Sequence, residues 1–398
     1  MRCSKLVSNL TANFAIQIIN LGFPLLLQFY LVRTLDLAEL GKWYLVTASI
    51  SLVQLLVTFP HIHLVKEVAK GGNEEILGSS YIVSYVLSLM IFPLYYWNLI
   101  NTVELELNLA IFSGLFFVTL PLASEFYFQG KLKNEIILKR KLLVKVAYIL
   151  SVLSFVKEKD DFSFFFIISI LFYSIEHLFN FVYILSRRVC IRVNICTCKN
   201  ILAQSWSYIP FNASYNTLPH ISIIVFSKFI EPEILAVYSI FMRIVNVTTT
   251  FITSSVTVLL PYTVSEQGKS LGFHKGLMLK LIISVATITA ILLLEHPILK
   301  FFLSKDIDAN LVTEFRVLLV YIVFHVVYNY FVFLKFISKS EIKVPIIYNV
   351  TQISLFLLIV GVSHLLNLTH FYAVSIVLSS LLSMFFLFVH MKFNGFDR

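Results

Sequence analysis

The stretch Glu125–Lys141, "EFYFQGKLKNEIILKRK", closes a long apolar run and at once adds five Lys or Arg residues. The rest of the chain explains this contrast. Of 398 residues, 58% are hydrophobic, 38 are Phe and only 13% are charged. A soluble protein of this size cannot cover so much apolar side chain with polar surface. Lipid is therefore the main solvent, and the quoted stretch ends a membrane span.

Twelve segments of the sequence are apolar and long enough, at about 20 residues, to cross the hydrocarbon core of a bilayer. No connection between them has the length of an independent soluble domain. The pattern predicts an all-α integral membrane protein. The segments are residues 8–33, 43–65, 77–100, 105–124, 137–156, 162–186, 201–228, 234–260, 277–299, 311–334, 344–366 and 369–391.

The basic residues give the orientation. With twelve spans, 22 of the 31 Lys and Arg residues fall on the side of the two termini and only 8 on the other. The positive-inside rule then predicts that both termini are cytoplasmic. The basic run 131–141 is interpreted as a topological anchor at the cytoplasmic face, close to anionic headgroups. The net charge of +9 thus reflects topology, and no nucleic acid is expected as a partner.

A weak internal repeat divides the chain in two. "ELGKWY" at Glu39–Tyr44 and "EILAVY" at Glu233–Tyr238 each open the second span of a half, 194 residues apart. With an even number of spans, this predicts two six-helix lobes, residues 1–192 and 193–398, around a central cavity.

Polar residues within the spans are the candidate site, because lipid disfavours them. Arg243 lies about ten residues into the eighth span and shares a helix face with Asn246, Thr250, Ser254 and Thr257 by their 3–4 residue spacing. Two interpretations remain open, a cavity-lining role and a structural pair or snorkelling cation. The first span has a similar stripe, for which interhelical hydrogen bonds are an equal alternative: Asn9, Asn13, Gln17 and Asn20.

Three more spans carry polar side chains. The seventh span has Asn212 and Asn216 between Pro210 and Pro219, and the tenth has Tyr321, His325 and Asn329. Glu176 in the sixth span either pairs with Arg243 or couples transport to an ion. Charges expected at the rim are Arg33, Lys42 and Lys228. Tyr and Asn suit sugar hydroxyls, and Arg suits a phosphate, so the substrate class indicated is an amphiphile with both groups.

The sequence lacks the motifs of an enzyme. It contains no Walker A motif, no H-E-x-x-H, and no large outer loop with a catalytic constellation. The four cysteines have neither the spacing nor the histidine neighbours of a zinc site. We therefore expect no catalytic residues, no metal and no cofactor.

Several motifs resemble Wzx-type polysaccharide flippases. In that family an aromatic-rich "FQG" closes the fourth span and "FVK" with an acidic residue closes the fifth. The matching residues here are Phe128, Gln129 and Gly130, then Phe155, Val156, Lys157 and Asp161. The N-terminal run resembles the family through Arg33, Glu39 and Gly41, and the end of the second span through Lys66 and Glu67. The likeness covers roughly the first 160 residues, and "FPHIHLV" replaces a glycine-containing turn.

The resemblance implies a fold and a function. Such proteins share the two-lobed, MATE-like fold of multidrug and lipid flippases. They move undecaprenyl-diphosphate-linked oligosaccharides across the bacterial inner membrane by alternating access, for O-antigen or capsule assembly. The implied partners are the lipid-linked oligosaccharide, membrane lipids, a polysaccharide polymerase and a chain-length regulator. Two alternatives remain open, a cation-coupled multidrug exporter of the same fold and a membrane polysaccharide polymerase.

Overall fold

The computed structural model describes residues 2–58, 60–71, 74–205, 209–264, 271–303, 308–331, 343–366, 368 and 371–393. Within these ranges, the side chains of residues 2–10, 13, 62, 209–216, 254–264, 271–275, 343 and 390–393 lie outside the description. The described residues form sixteen α-helices and two short 3-10 helices, Leu120–Leu122 and Lys159–Asp161.

The helices follow the apolar segments of the sequence in order. They are α1 (Arg2–Thr34), α2 (Leu37–Val57), α3 (His61–Ala69), α4 (Glu74–Asn101), α5 (Leu107–Thr119), α6 (Glu125–Gly130), α7 (Asn134–Phe155), α8 (Phe162–Ser186), α9 (Ile195–Ser205), α10 (Ile209–Phe226), α11 (Pro232–Val264), α12 (Leu271–Leu293), α13 (Glu295–Leu303), α14 (Ala309–Phe331), α15 (Lys343–Leu365) and α16 (Tyr372–Phe393).

Ten segments of the described chain are long and apolar enough to cross a membrane. They comprise α1, α2, α4, α5 with α6, α8, α11, α12, α14, α15 and α16. Helix α7 has the necessary length but carries five charged residues, and α10 is apolar only over Thr217–Phe226. The protein is thus a multi-pass, all-helical membrane protein.

The predicted second span is divided in the structure. The second was expected to run over 43–65, but α2 ends at Val57 and α3 begins after Pro60. Pro60 has no N–H to continue the hydrogen-bond ladder of α2, so the break falls where proline favours it. Within the seventh, expected over 201–228, the structure describes α9 as far as Ser205 and α10 from Ile209.

The chain divides into two compact units. Unit 1 contains residues 1–213 and 223–236, and unit 2 contains residues 214–222 and 237–398. In unit 1, α7 packs between α1 and α8, α5 packs on α8, and the short helices α3 and α6 pack on each other. In unit 2, α16 packs on α14 and α15, and α12 packs on α14.

Candidate functional site: a buried charge network in unit 1

Five ionisable side chains meet inside unit 1. Arg140, Lys141 and Lys145 come from α7, Glu125 from α6 and Glu176 from α8. Lys141 Nζ lies 3.1 Å from Glu125 Oε1 and 3.5 Å from Glu176 Oε1, and Lys145 Nζ lies 3.8 Å from Glu176 Oε2. Three cations share two carboxylates, so the network carries a formal charge of +1.

Arg140 is the centre of the network. Its residue is only 2% exposed, the largest among the fully buried side chains of the described chain. The guanidinium donates to Glu125 and to Asn180 Oδ1, and to Glu176 Oε1 at 3.3 Å. A guanidinium can hold several acceptors at once because its donors are fixed in one plane. Arg140 thereby joins α6, α7 and α8.

Most members of the network lie well within the long helices α7 and α8 rather than at their ends. Arg140 is about 9 Å and Lys145 about 16 Å along α7 from Asn134, at a rise of about 1.5 Å per residue. Glu176 is about 15 Å from Ser186, the end of α8, on the same scale. Ionisable groups at such depth are expensive in lipid and mark functional sites by default.

The interpretation of the basic run as an anchor was therefore wrong for part of it. Lys131 and Lys133 precede α7 and are consistent with an anchor. Arg140 and Lys141, however, are buried within the helix, at 2% and 8% exposure. The physical reason is that the carboxylates of Glu125 on α6 and Glu176 on α8 form ion pairs with these two residues. Hydropathy alone does not reveal such tertiary contacts. The cluster contains two of the five basic residues that define the opening stretch.

For Glu176, the sequence left two interpretations open, pairing with Arg243 and ion coupling. Within unit 1 its basic partners are Arg140, Lys141 and Lys145, all on α7. Lys145 also lies over the ring of Tyr173, 5.4 Å from its centroid. Tyr173 precedes Glu176 by one turn of α8, so the aromatic and acidic groups present one face to Lys145. A role of Glu176 in ion coupling stays a prediction.

The polar stripe of α1 reaches this network. Lys141 Nζ donates to Asn20 Oδ1 at 3.5 Å, and Asn20 is otherwise exposed. Gln17, one turn earlier, is half-buried, and its Oε1 has no hydrogen-bond partner among the described atoms. The side chain of Asn13 lies outside the described residues. The stripe predicted on the first span therefore continues into the charged network through Asn20.

The "FQG" motif supports the network from the next helix pair. Phe128 is buried in an apolar cluster with Leu64 and Val68 of α3. Gly130 is so close to α3 that an added Cβ would lie 2.8 Å from Val68 Cβ. Glycine is thus required there for α3 and α6 to pack, and this packing fixes Glu125 at the start of α6.

His61 and Gln129 complete this contact. His61 Nε2 lies 3.0 Å from Gln129 Oε1. Burial lowers the pKa of His61 from its usual value of 6.5, although the Gln129 hydrogen bond and the charge of Glu125 oppose the shift. Both His61 and His63 lie in α3, and His63 is buried.

In unit 2, the predicted stripe of α11 is partly described. Arg243, Asn246 and Thr250 are half-buried and follow one another at helical spacing. His220 of α10 is close enough to Arg243 for their charges to interact. The side chains of Ser254 and Thr257, and those of Asn212 and Asn216 in α10, lie outside the described residues.

The polar residues of α14 form neutral contacts within unit 2. Tyr321 Oη and His325 Nδ1 are 3.0 Å apart, which agrees with a hydrogen-bonded histidine. Tyr328 stacks on Tyr348, with ring centroids 3.9 Å apart. Asn329 is fully buried, and neither its Oδ1 nor its Nδ2 has a partner among the described atoms.

The predicted rim charges are held locally. Arg33 donates to the Phe29 carbonyl at 2.7 Å and lies over the Phe29 ring. Lys42 pairs with Glu39 at 3.3 Å, and Lys228 donates to Thr102 Oγ1 at 2.8 Å. Each cation is thus near a partner one turn away or on a neighbouring element, and a role toward substrate stays a prediction.

Two acidic residues of unit 2 were not singled out by the sequence. Glu314 is buried, and its Oε2 accepts from the N–H of Ala373 at 2.6 Å, which caps the start of α16. Glu295 pairs with Arg316 through both oxygens, at 3.1 and 2.9 Å. The general rule that intramembrane charges merit attention would have found Glu314, which lies within the tenth predicted span.

Comparison with known proteins identifies the family. A family model described as "Polysaccharide biosynthesis protein" matches residues 6–267, about two thirds of the chain. The chain belongs to this family. The match confirms the resemblance that the "FQG" and neighbouring motifs indicated. A comparison with curated proteins returns no match.

Solved structures similar to this family member are transporters. One is a MATE multidrug resistance transporter of the MOP superfamily in its inward-facing conformation (TM-score 0.74, 13% identity, 95% of this chain and 94% of that chain covered). A MATE multidrug resistance transporter of the MOP superfamily in an outward-facing conformation also matches (TM-score 0.61, 16% identity, 98% of this chain and 94% of that chain covered). The lipid II flippase MurJ, inward closed, is a third (0.70, 12%, 97% and 87%). These identities establish a shared fold alone.

Proposed function

We propose that this polysaccharide biosynthesis protein is a flippase for undecaprenyl-diphosphate-linked oligosaccharide repeat units. It moves them across the bacterial inner membrane by alternating access, for O-antigen or capsule assembly. The family match supports a role in polysaccharide synthesis, and the fold shared with MurJ and MATE transporters supports translocation. A polysaccharide polymerase and a chain-length regulator are its proposed partners.

The proposed architecture has twelve spans, cytoplasmic termini and two six-helix lobes, divided near residue 192. The ten apolar segments supply most of the spans, and α7 and α10 supply the other two. Helix α7 is included because Arg140 and Lys141, two of its five charged residues, are buried against carboxylates of α6 and α8.

The observation that carries the proposal is the excess positive charge in unit 1. Three basic side chains and two carboxylates leave +1 in a low-dielectric environment, which attracts an anion. Lys145 is the member with the longest ion-pair distance, 3.8 Å, and its side chain keeps 15% exposure. Of the three basic residues, Lys145 can therefore move from Glu176 to a substrate phosphate at the smallest cost in free energy. Arg243 is proposed as a second diphosphate ligand.

The remaining candidate residues are proposed to line the sugar path. Amide and phenol groups can exchange hydrogen bonds with hydroxyls without imposing a charge. Glu176 is the proposed coupling residue, because its protonation would release Lys141 and Lys145 from a carboxylate. The proposed lining residues are Asn13, Gln17, Asn20, Asn212, Asn216, Asn246, Tyr321, His325 and Asn329.

A multidrug exporter of cationic compounds is the second candidate, because MATE transporters share the fold. The network in unit 1 argues against it. A formal charge of +1 repels a cationic drug, whereas an exporter of cations needs a carboxylate available to the drug. The carboxylates Glu125 and Glu176 are instead within 4 Å of basic side chains.

The test is complementation in a host that lacks its own flippase. Wild type, Lys145→Gln and Arg243→Ala are produced at matched membrane levels with the cognate glycan pathway. We expect each variant to reduce surface polysaccharide about tenfold or more, as loss of one charged hydrogen bond predicts. Lipid-linked units should accumulate inside. Lys199→Gln, which removes an exposed cation of α9, is the matched control and should export normally.

The two variants separate the two parts of the proposal. Full export by Lys145→Gln would remove the network in unit 1 from the substrate path. Full export by Arg243→Ala would make Arg243 structural, and partial rescue by Arg243→Lys would support a requirement for charge. If wild type exports nothing with its glycan supplied, the substrate assignment fails.

A further inference from the structure

One carboxylate of unit 2, that of Glu314, is buried with no cation beside it among the residues that the structure describes. Glu314 lies in the second turn of α14, about 8 Å from the start of the helix, and is only 6% exposed. Its Oε2 accepts from the N–H of Ala373 at 2.6 Å, and the N–H of Tyr372 also donates to this carboxylate. Both donors are neutral, so they orient the carboxylate and leave its charge unbalanced.

The ionisable groups closest to Glu314 supply no positive charge. Tyr238 of α11 and Tyr372 at the start of α16 are the described side chains whose charge acts on Glu314. Both are phenols, which are neutral or negative and never cationic. Arg316 lies two residues further along α14, on a different face of the helix. Its Nε binds both oxygens of Glu295, at 3.1 and 2.9 Å, so this arginine serves another acid.

The other helices of unit 2 bring no described basic side chain to Glu314 either. Lys280 of α12 donates to the Ile252 carbonyl. That carbonyl is about 21 Å along α11 from Tyr238, the α11 residue that interacts with Glu314. His364, at the end of α15, does not contribute to the charge around Glu314. Two basic residues of the adjoining connections lie outside the described residues, Lys305 and His370.

Glu176 of unit 1 shows what this arrangement lacks. Three basic side chains lie within 4 Å of Glu176, so a proton bound there competes with cations that are already in place. At Glu314 a proton displaces no cation. A buried carboxylate without a basic partner is costly, and uptake of a proton removes that cost by making the group neutral.

We propose that Glu314 is a proton-binding site of unit 2, and that its protonation loosens the start of α16. One carboxylate oxygen forms an O–H bond with a proton from water, and no other covalent bond changes. The N–H groups of Tyr372 and Ala373 then face a neutral acid instead of an anion. Hydrogen bonds to a charged acceptor are roughly twice as strong as those between neutral groups, so α16 is held less firmly after protonation.

The position of the site suits a proton from outside the cell membrane. With both termini cytoplasmic, as proposed, the connections that precede α14 and α16 lie on the outer side. The bond between Glu314 and Ala373 joins the first two turns of these helices, which agrees with two helices that begin on the same side. Use of the proton to drive export rests on the proposed flippase function, whereas the binding of the proton does not.

The first test is infrared difference spectroscopy of the purified full-length protein between pH 9 and pH 5. Exposed carboxylates are mostly ionised in this range, so the C=O stretch of a carboxylic acid reports buried groups. We expect this band to grow in wild type as pH falls and to be absent from Glu314→Gln. Glu295→Gln, which removes a neighbouring acid that has an arginine partner, is the control and should keep the band. No pH-dependent band in wild type, or an equal band in Glu314→Gln, would overturn the proposal.

The second test is hydrogen exchange of the backbone amides of residues 371–378. Gln at position 314 keeps an oxygen acceptor of the same reach without the charge, and so imitates the protonated acid. At pH 9 we expect Glu314→Gln to exchange these amides about tenfold faster than wild type, as loss of the charge from one hydrogen bond predicts. Glu295→Gln should exchange them at the wild-type rate. Equal exchange in Glu314→Gln and wild type would overturn the effect on α16.

A second variant keeps the test decisive if Glu314→Gln does not fold. Glu314→Asp retains an acid in a changed position, so its C=O band should remain pH-dependent and shift in frequency. A band identical to that of wild type would assign the proton to another residue. Neither measurement uses a glycan or transport. Failure here therefore leaves the proposed flippase function standing, and failed complementation leaves the proton site standing.

Discussion

The two units hold their buried polar groups in different ways. In unit 1, Arg140 binds two carboxylates and an amide, and two lysines extend the network across α7. In unit 2, the polar groups of α14 and α15 are mainly phenols, amides and a histidine, which form neutral pairs such as Asn349 with Tyr328 at 2.7 Å. The first arrangement is ionic with many partners for each group, whereas these side chains of unit 2 are neutral with one or two partners. The charged residues of α14 are held singly, Arg316 by Glu295 and Glu314 by the N–H of Ala373.

This difference predicts that buried polar residues contribute differently to stability in the two units. An ionic network holds helices firmly, since removal of one member leaves a charge buried without its partner. Neutral pairs tolerate substitution better, and a group with no described partner, such as Asn329, costs stability rather than adding to it. We therefore expect the fold to depend most on unit 1 and the neutral polar residues of unit 2 to matter mainly for substrate.

Removal of Arg140 gives the largest expected effect. Arg140→Ala leaves Glu125, Glu176 and Asn180 without their shared donor, and breaking a buried ion pair costs about 3–5 kcal/mol. Arg140→Lys should recover part of this, because an ammonium restores charge but cannot hold three acceptors in one plane. The measurement is the thermal unfolding and membrane yield of each variant in detergent.

The control for Arg140 is Arg187→Ala, which removes an exposed arginine just after α8. It should unfold like wild type. Equal stability of Arg140→Ala and Arg187→Ala would show that the network does not hold α6, α7 and α8 together. The comparison between the two units would then lose its basis.

Substitution of two buried asparagines of unit 2, Asn349 and Asn329, should change the stability of the protein less than Arg140→Ala does. Asn349→Leu removes the bond to Tyr328 and the one to the Pro345 carbonyl, at a cost of about 1–3 kcal/mol. Asn329→Leu removes a buried amide without described partners, so stability should change little or rise. If Asn329 lines the sugar path, its variant should unfold like wild type yet export less. An Asn329→Leu protein as unstable as Asn349→Leu would show that Asn329 has a structural role instead.

The sequence predicted the helices well and the charged network poorly. Span limits follow from runs of apolar residues, which are local, so α4, α8 and α14 lie close to their predicted ranges. The fifth span was drawn from residue 137 and already contained Arg140, Lys141 and Lys145. They were interpreted as anchors at the cytoplasmic face, because the positive-inside rule counts basic residues by membrane side and does not consider their burial. The acceptors that bury them, Glu125 and Glu176, are 15 and 36 residues from Arg140 along the chain.

The site in unit 2 was predicted on different grounds. Arg243 and Asn246 were found from helical spacing, and the structure places both half-buried on α11. The burial of Lys280, which lies in the ninth predicted span, was not predicted. Its burial depends on the neighbouring α11, whose Ile252 carbonyl accepts its ammonium. Helix pairing of this kind is tertiary information, and apolar periodicity does not encode it.

The smallest expected effect concerns α3 and α6, at the edge of the network. Burial lowers the pKa of His61 in the folded state, so the unfolded chain binds its proton more readily. Stability from this group is complete above the unfolded value of 6.5 and is lost as pH falls below it. Glu125 and Lys141 are the charges that act on His61, in opposite directions. We therefore expect wild type to lose more stability between pH 7.5 and 5.5 than His61→Phe does.

The measurement is the difference between the two unfolding temperatures at each pH, which cancels the titration of every other group shared by the proteins. Gln129→Leu is the matched variant, since it removes the hydrogen-bond partner of His61 but no titratable group. It should lose more stability than wild type as pH falls, because the Gln129 hydrogen bond raises the pKa of His61 and so partly offsets the effect of burial. Identical pH profiles for wild type and His61→Phe would mean that α3 and α6 separate readily enough to hydrate His61. The charged network would then end at Glu125, and it would not stabilise the packing of α3 on α6.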